Sequence, residues 1–172
     1  MVESGLIWGI VGKKGVAGVF RGINTLTIDA KGRVAIPSRC RQRLREAQSG
    51  DGELVATLHF LGHCLLLYPL AEWERIERKL VELPALDPVA DQLKKMLMGY
   101  AVECTPDGQG RILLPPVLRE QVGLERRALL VGQGNKYEIW NEESWNEQRS
   151  QWLQQVSSGA VELPESLKSL SF

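Results

Sequence analysis

The chain has 172 residues, including 21 lysines and arginines, 21 aspartates and glutamates, and three cysteines. Its hydrophobic content of 44% and charged content of 24% are typical of a globular protein with a buried core, and no apolar stretch reaches the roughly 20 residues needed to span a bilayer. These values exclude an integral membrane protein, and three scattered cysteines fit a reducing cytosol better than a disulfide framework.

Charge is distributed unevenly along the chain. Between Phe20 and Ala47 there are seven basic residues and only two acidic ones, so this segment carries a net charge of +5 and the rest of the chain carries −5. The basic residues are Arg21, Lys31, Arg33, Arg39, Arg41, Arg43 and Arg45. A polyanion responds to local charge within a Debye length of about 8–10 Å. The neutral total therefore does not exclude a nucleic-acid surface.

The first 19 residues are rich in glycine and lack periodicity. Lys13 and Lys14 follow the apolar run instead of preceding it, which is the wrong order for a secretory signal. We predict that residues 1–19 are a leader that is either disordered or lies upstream of the true start.

The body of the chain contains an internal repeat. Residues 29–37 and 107–115 both read D-x-x-G-R, three small or apolar residues, then proline. Each copy continues with a short helical segment, an apolar hairpin pattern, and an aromatic residue five positions before a tryptophan. The predicted helical segments are 38–46 and 116–122, and the predicted hairpin strands are 54–60, 64–68, 127–131 and 136–140. Two copies about 78 residues apart predict a duplicated half-domain.

Helices are predicted between and after the copies. Apolar residues three and four apart predict a helix over residues 73–83, which Pro84 ends. Asp87, followed by proline, is a typical N-cap for a second helix over residues 89–98. A third helix is predicted from Trp145, and residues 164–172 form a short helix or stay loose.

The repeated D-x-x-G-R motif predicts a tight reversal between two strands. Gly32 and Gly110 can adopt positive φ without a steric penalty. The carboxylates of Asp29 and Asp107 can accept backbone N–H bonds inside the turn, or they can pair with the arginine. An isolated motif of this kind is most often a purely structural turn, so the repetition and the arginine run are what suggest a functional site.

Several motifs occur in a fixed order along the chain: residues 20–22, 29–33, 64–69 with 72–74, 107–111, and 130–133 with Asn135, Lys136 and Trp140. Together they resemble the motifs of the bacterial MraZ family, one of the AbrB/SpoVT-like swapped-hairpin DNA-binding proteins. The resemblance implies an α+β fold in which two tandem swapped-hairpin halves form a small pseudo-two-fold β-barrel, flanked by helices. We accordingly expect a first half at 23–72, a helical linker at 73–100, a second half at 101–144, and a C-terminal helix and tail at 145–172.

The resemblance also implies a function. Family members are transcriptional regulators, usually repressors, of the division and cell-wall gene cluster that contains their own gene. They are ring-like homo-oligomers that bind repeated DNA boxes upstream of that cluster, in the cytoplasm and nucleoid. Members typically start with methionine just before Phe-Arg-Gly, so we expect the natural start at Val19, where a GTG codon would initiate.

The candidate DNA-binding residues begin with Arg33 and Lys31 at the tip of the first turn. An arginine can pair bidentately with guanine O6 and N7 in the major groove, and either residue can contact phosphate. The alternative is an intramolecular pair of Arg33 with Asp29. Arg111 is the counterpart in the second copy, where Gln109 replaces Lys31 and lowers the charge.

Arg21 and Arg39 are further candidates for phosphate contacts. The four arginines at positions 39, 41, 43 and 45 cannot share one helix face. A subset is expected to contact phosphates or a neighbouring subunit, and the alternative is a solvated basic face.

Other classes of function find little support in the sequence. No phosphate-binding loop, nucleophile elbow or dinucleotide fingerprint is present, so we expect no enzyme activity and no cofactor. His59, His63 and Cys64 lack a fourth ligand at recognisable spacing, so no metal is expected. The main alternative is a protein-interaction module of the same fold, antitoxin-like or a scaffold, whose arginines bind an acidic partner.

Overall fold

The structure is a computed structural model that describes residues 19–47, 52–162 and 164–170. The predicted leader lies outside these residues except for Val19. The chain divides into two units, one ending at Asn141 and the other beginning at Glu142. No helix of the described ranges is long and apolar enough to cross a bilayer.

The first unit contains eight strands in the described residues. They are β1 (Ile23–Thr27), β2 (Arg33–Ala35), β3 (Leu54–Leu58), β4 (Leu65–Pro69), β5 (Val102–Cys104), β6 (Arg111–Leu113), β7 (Arg127–Gly132) and β8 (Tyr137–Asn141). Six of them form one antiparallel sheet in the order β1-β7-β8-β4-β3-β5, and β2 and β6 form a separate two-stranded ribbon. The predicted hairpins β3–β4 and β7–β8 are confirmed.

The two sequence copies exchange strands. β1 of the first copy pairs with β7 of the second, and β5 of the second copy pairs with β3 of the first. The remaining inter-copy pairs, β4 with β8 and β2 with β6, join equivalent strands. Each strand pair therefore has an equivalent pair in which the roles of the two copies are reversed, or joins equivalent strands of both copies. Backbone hydrogen bonds between the copies consequently hold the two halves together.

The helices follow the predicted segments closely. They are α1 (Ser38–Glu46), α2 (Leu70–Val81), α3 (Pro88–Leu97), α4 (Pro116–Gln121), α5 (Glu142–Ser157) and α6 (Glu165–Lys168). The predicted cap is confirmed, because Asp87 Oδ1 accepts the N–H of Val89 at 2.8 Å and of Ala90 at 3.3 Å. α2 begins three residues before the predicted start, directly after Pro69, which ends β4.

The core of the first unit lies between the sheet, the ribbon and the helices. β3 and β4 are buried at every position, which fits their almost continuous apolar sequence in the middle of the sheet. α2 contacts both strands, and α3 contacts β3. Thr57 Oγ1 donates a hydrogen bond to the carbonyl of Leu97, which satisfies a buried hydroxyl and fixes the end of α3 to the sheet.

The second unit consists of α5 and α6. Trp145 and Trp152, both on α5, form an edge-to-face pair with ring centroids 5.8 Å apart. None of the described residues of either helix is buried. Trp152 is 44% exposed, whereas Trp73 on α2 of the first unit is buried against Tyr68.

Candidate nucleic-acid interface

The first D-x-x-G-R turn is held by one carboxylate. Asp29 Oδ1 accepts the backbone N–H groups of Lys31 and Arg33, each at 2.9 Å, and Oδ2 accepts Arg33 Nε at 2.7 Å. Asp29 therefore accepts backbone N–H bonds inside the turn and also pairs with the arginine, the two roles that the sequence left open. The backbone N–H of Arg33 is the largest cause that holds the pKa of Asp29 below its usual value.

The second turn repeats this geometry. Asp107 Oδ1 accepts the N–H groups of Gln109 and Arg111, each at 2.9 Å, and Oδ2 accepts Arg111 Nε at 2.9 Å. Its pKa is likewise lowered, chiefly by the backbone N–H of Arg111. Gly32 and Gly110 have φ of +82° and +74°, as the turn sequence predicts.

The aspartates orient the arginines but leave the terminal nitrogens of each guanidinium group available for other contacts. In each pair the contact uses Nε, and the side chains of Arg33 and Arg111 remain 34% and 28% exposed. The terminal nitrogens of both guanidinium groups form no hydrogen bond with residues in the described part of the chain. Each arginine is therefore fixed near its base and offers the two-nitrogen end that binds planar acceptors.

The antiparallel ribbon joins the two turns, which lie at its opposite ends. The register pairs Arg33 with Leu113, Val34 with Ile112, and Ala35 with Arg111. Val34 and Ile112 face the core and are 0% exposed. Side chains alternate along a strand, so Arg33 and Arg111 lie on the outer face as diagonal neighbours, roughly 7–8 Å apart at the backbone.

Each turn is covered by an arginine from the opposite copy. A methyl group at Gly32 would lie 2.7 Å from Arg119 Nε, and one at Gly110 would overlap the guanidinium of Arg41. Arg119 Nε also donates to the carbonyl of Leu114 at 3.0 Å, whereas Arg41 Nε is buried and has no hydrogen-bond partner within the described residues. We call Arg41 and Arg119 the brace arginines.

Arg119 was not among the predicted site residues, and Arg41 was considered only as one of the four arginines of α1. Their signal was nevertheless present in the sequence, because each lies four positions after the proline that ends the repeated motif, at Pro37 and Pro115. Only the exchange of strands shows that each reaches the other copy's turn.

The arginines of α1 divide into two faces, as helical geometry requires. Arg41 and Arg45 line a small cavity that Asp107 of the second turn also borders. Arg39 and Arg43 line a different cavity together with Arg21. Of the predicted residues, Arg33, Lys31 and Arg111 thus belong to the ribbon and its turns, and Arg21 and Arg39 meet at a separate concavity.

Arg21 is positioned by backbone pairing on both sides. Phe20 N donates to the carbonyl of Gly134 at 2.7 Å, and Gly134 N donates to the carbonyl of Phe20 at 2.9 Å. Gly132 N donates to the carbonyl of Gly22 at 2.8 Å. Residues 20–22, which precede β1, therefore extend the pairing of β1 with β7 toward the β7–β8 turn. The side chain of Arg21 is exposed.

The histidine and cysteine cluster considered as a metal site has other contacts. His59 Nδ1 accepts the N–H of Leu61 at 3.1 Å, and burial is the main cause that lowers the pKa of His59. Cys64 is buried, which raises the pKa of its thiol. Within the ranges that the structure describes, no three histidine, cysteine or acidic side chains group as potential metal ligands.

Comparison with known proteins identifies the family. The family model described as "MraZ protein, putative antitoxin-like" matches residues 19–95 and again residues 96–162. The protein named Transcriptional regulator MraZ of Halorhodospira halophila is 53% identical over 153 residues, which cover 89% of this chain and 99% of that protein. The protein of the same name from Hydrogenovibrio crunogenus is 51% identical over 152 residues, which cover 88% of this chain and 97% of that protein. The one from Methylococcus capsulatus is 46% identical over 155 residues, which cover 90% of this chain and 100% of that protein. With the same repeat matched twice and such identity over most of its length, the chain belongs to the MraZ family.

Proposed function

We propose that this protein is a sequence-specific DNA-binding transcriptional regulator. The observation that carries the proposal is the pair of aspartate-held arginines, Arg33 and Arg111, on the outer face of the β2–β6 ribbon. The relatives' name, Transcriptional regulator MraZ, supports the same function.

The ribbon has the shape and chemistry to enter a major groove. A two-stranded antiparallel ribbon fits the groove of B-DNA, where arginine recognises guanine O6 and N7 with two parallel hydrogen bonds. Asp29 and Asp107 fix the guanidinium planes before binding, which lowers the entropy lost on contact. Lys31, exposed at the first turn, adds a phosphate contact.

We further propose that the strand exchange is the swapped-hairpin barrel of this class, and that protomers assemble into a ring. One protomer presents few cationic groups, so its contacts with DNA are individually weak. A ring that places several ribbons on consecutive DNA boxes multiplies them by effective concentration. By its family, the target is the division and cell-wall gene cluster that includes its own gene, the action is repression, and the site of action is the nucleoid in the cytoplasm.

The test replaces Arg33 by alanine. Arg33→Ala should remove specific binding to the DNA upstream of the gene in an electrophoretic shift with competitor DNA at moderate salt, because one bidentate base contact accounts for about 1–3 kcal/mol per site. Arg75→Ala is the matched control, since Arg75 is exposed on α2 and its ion pair within the described chain is a local one with Glu72. Unchanged, competitor-resistant shifting by Arg33→Ala would refute the role of this arginine.

A second candidate function is binding to an acidic protein partner. The words "antitoxin-like" in the family description and the arginines of α1 favour it. In that case the wild-type protein shows no competitor-resistant DNA binding, so the same assay separates the two functions.

A further inference from the structure

A concavity beside α1 gathers three arginines that the ribbon does not use. It has a volume of about 250 Å³. Arg39 and Arg43 reach it from one face of α1, one helical turn apart, and Arg21 reaches it from the segment before β1. No carboxylate lines this cavity, and none of the three forms an ion pair within residues 19–47, 52–162 and 164–170.

A buried tyrosine forms part of the wall of this cavity. Tyr137 of β8 is 0% exposed, and its Oη has no hydrogen-bond partner among the described residues. Tyr137 lines the cavity together with Cys40 and Arg43, and its hydroxyl oxygen is itself buried. The tyrosine ring stacks on Phe20, with centroids 4.7 Å apart.

A further donor borders the same space. Asn24 lines the cavity, and among the described residues its amide donates only to the Cys40 thiol, a weak acceptor, at 3.7 Å. The lining therefore contains many N–H donors and few acceptors. Three like charges converging on a concave surface repel one another, and an anion between them removes that repulsion while satisfying the donors.

We propose that this cavity is a phosphate-binding site, distinct from the ribbon, in which Arg21, Arg39 and Arg43 hold the oxyanion above Tyr137. A phosphate group fits best, because guanidinium forks match its oxygens bidentately and the three positive charges exceed the two negative charges of a phosphate dianion. The phosphate comes either from the DNA backbone or from a small phosphorylated compound. The inference does not rest on the proposed function, since it is testable with inorganic phosphate alone.

The experiment follows the ³¹P line width of inorganic phosphate with the full-length protein, at constant ionic strength set by chloride. Wild-type protein should broaden the signal saturably. Arg43→Gln should weaken binding by about tenfold or more, as expected for one charge-assisted hydrogen bond. Arg45→Gln is the matched control, because it removes the same charge from the other face of α1. Arg39→Gln, at an exposed position, provides a second test in case Arg43→Gln fails to fold.

The outcomes separate this site from the ribbon. Phosphate binding that survives in Arg33→Gln but is lost in Arg43→Gln or Arg39→Gln supports the cavity, whatever happens to DNA binding. Absence of saturable broadening, or equal loss in Arg43→Gln and Arg45→Gln, would overturn it. Duplex DNA is then added to the phosphate-bound protein. Release of phosphate identifies the DNA backbone as the source, and retention identifies a small phosphorylated ligand; both results require the site.

Discussion

The two halves of the first unit share a turn but differ in the charge around it. Both aspartates accept the same three hydrogen bonds, at distances that agree within 0.2 Å for the arginine Nε. The apex, however, carries Lys31 in the first half and Gln109 in the second. The helix that follows has four arginines over nine residues in the first half and one over six in the second. Duplication has thus preserved the shape, while the charge is concentrated in one copy.

The braces differ between the halves in a similar way. Arg119 covers Gly32 and satisfies its Nε on the carbonyl of Leu114, whereas Arg41 covers Gly110 with a buried Nε that lacks a partner among the residues the structure describes. An unpaired buried donor is destabilising, so the contact of Arg41 is the less favourable of the two. This suggests that the second turn is held less well than the first.

The largest expected effect on stability comes from adding a methyl group at Gly110, where the guanidinium of Arg41 covers the turn. Gly110→Ala should lower the free energy of unfolding by about 2–3 kcal/mol, because a methyl group is strained at positive φ and displaces the guanidinium. Gly134→Ala is the control for the backbone strain alone, since its φ is +79° and no described atom lies within 4 Å of the added methyl. Urea unfolding gives both values.

A double-mutant cycle then tests the brace itself. In an Arg41→Ala background, the effect of Gly110→Ala should fall by about 1 kcal/mol, because the clash has been removed. Additive effects of the two substitutions would mean that Arg41 does not press on the turn.

The difference in charge predicts a smaller effect, on DNA affinity. Lys31→Gln should weaken binding a few-fold near physiological salt and reduce the slope of log K against log salt by roughly 0.9 for each phosphate that is no longer neutralised. Gln109→Lys should change both quantities in the opposite direction, because the two turns have the same geometry. Fluorescence anisotropy over a salt series measures both. Weaker binding by Lys31→Gln without stronger binding by Gln109→Lys would show that only the first turn faces DNA.

The smallest effect concerns pH. The pKa values of Asp29 and Asp107 are both lowered from 3.8 by folding, so the ionised carboxylates stabilise the native state. That contribution is complete above about pH 4 and is lost as the pH falls through the lowered pKa values. The variant Asp29→Asn/Asp107→Asn should be less stable than the wild type at pH 7, and the difference should shrink below pH 4. A difference that is constant from pH 7 to pH 2 would contradict this, as followed by circular dichroism in urea.

Much of the local structure could be predicted from the sequence. The bounds of α1, the N-cap of α3 and the positive φ of both turn glycines depend on neighbouring residues, and their signals lie within a few positions. The apolar runs of β3 and β4 likewise predicted strands, because buried strands need no polar face. The start of α2 was misplaced because Pro69 both ends a strand and precedes a helix, which periodicity alone does not show.

By itself, the sequence determined the repeat, the turns, the helices and the concentration of basic residues, because each depends on short-range geometry or on composition. Only the tertiary structure decided that β1 pairs with β7, that each brace arginine covers the other half's turn, and that Arg21, Arg39 and Arg43 share one cavity. The physical reason is that these contacts join residues distant along the chain, whose proximity is set by burial of the common core and by pairing of every strand.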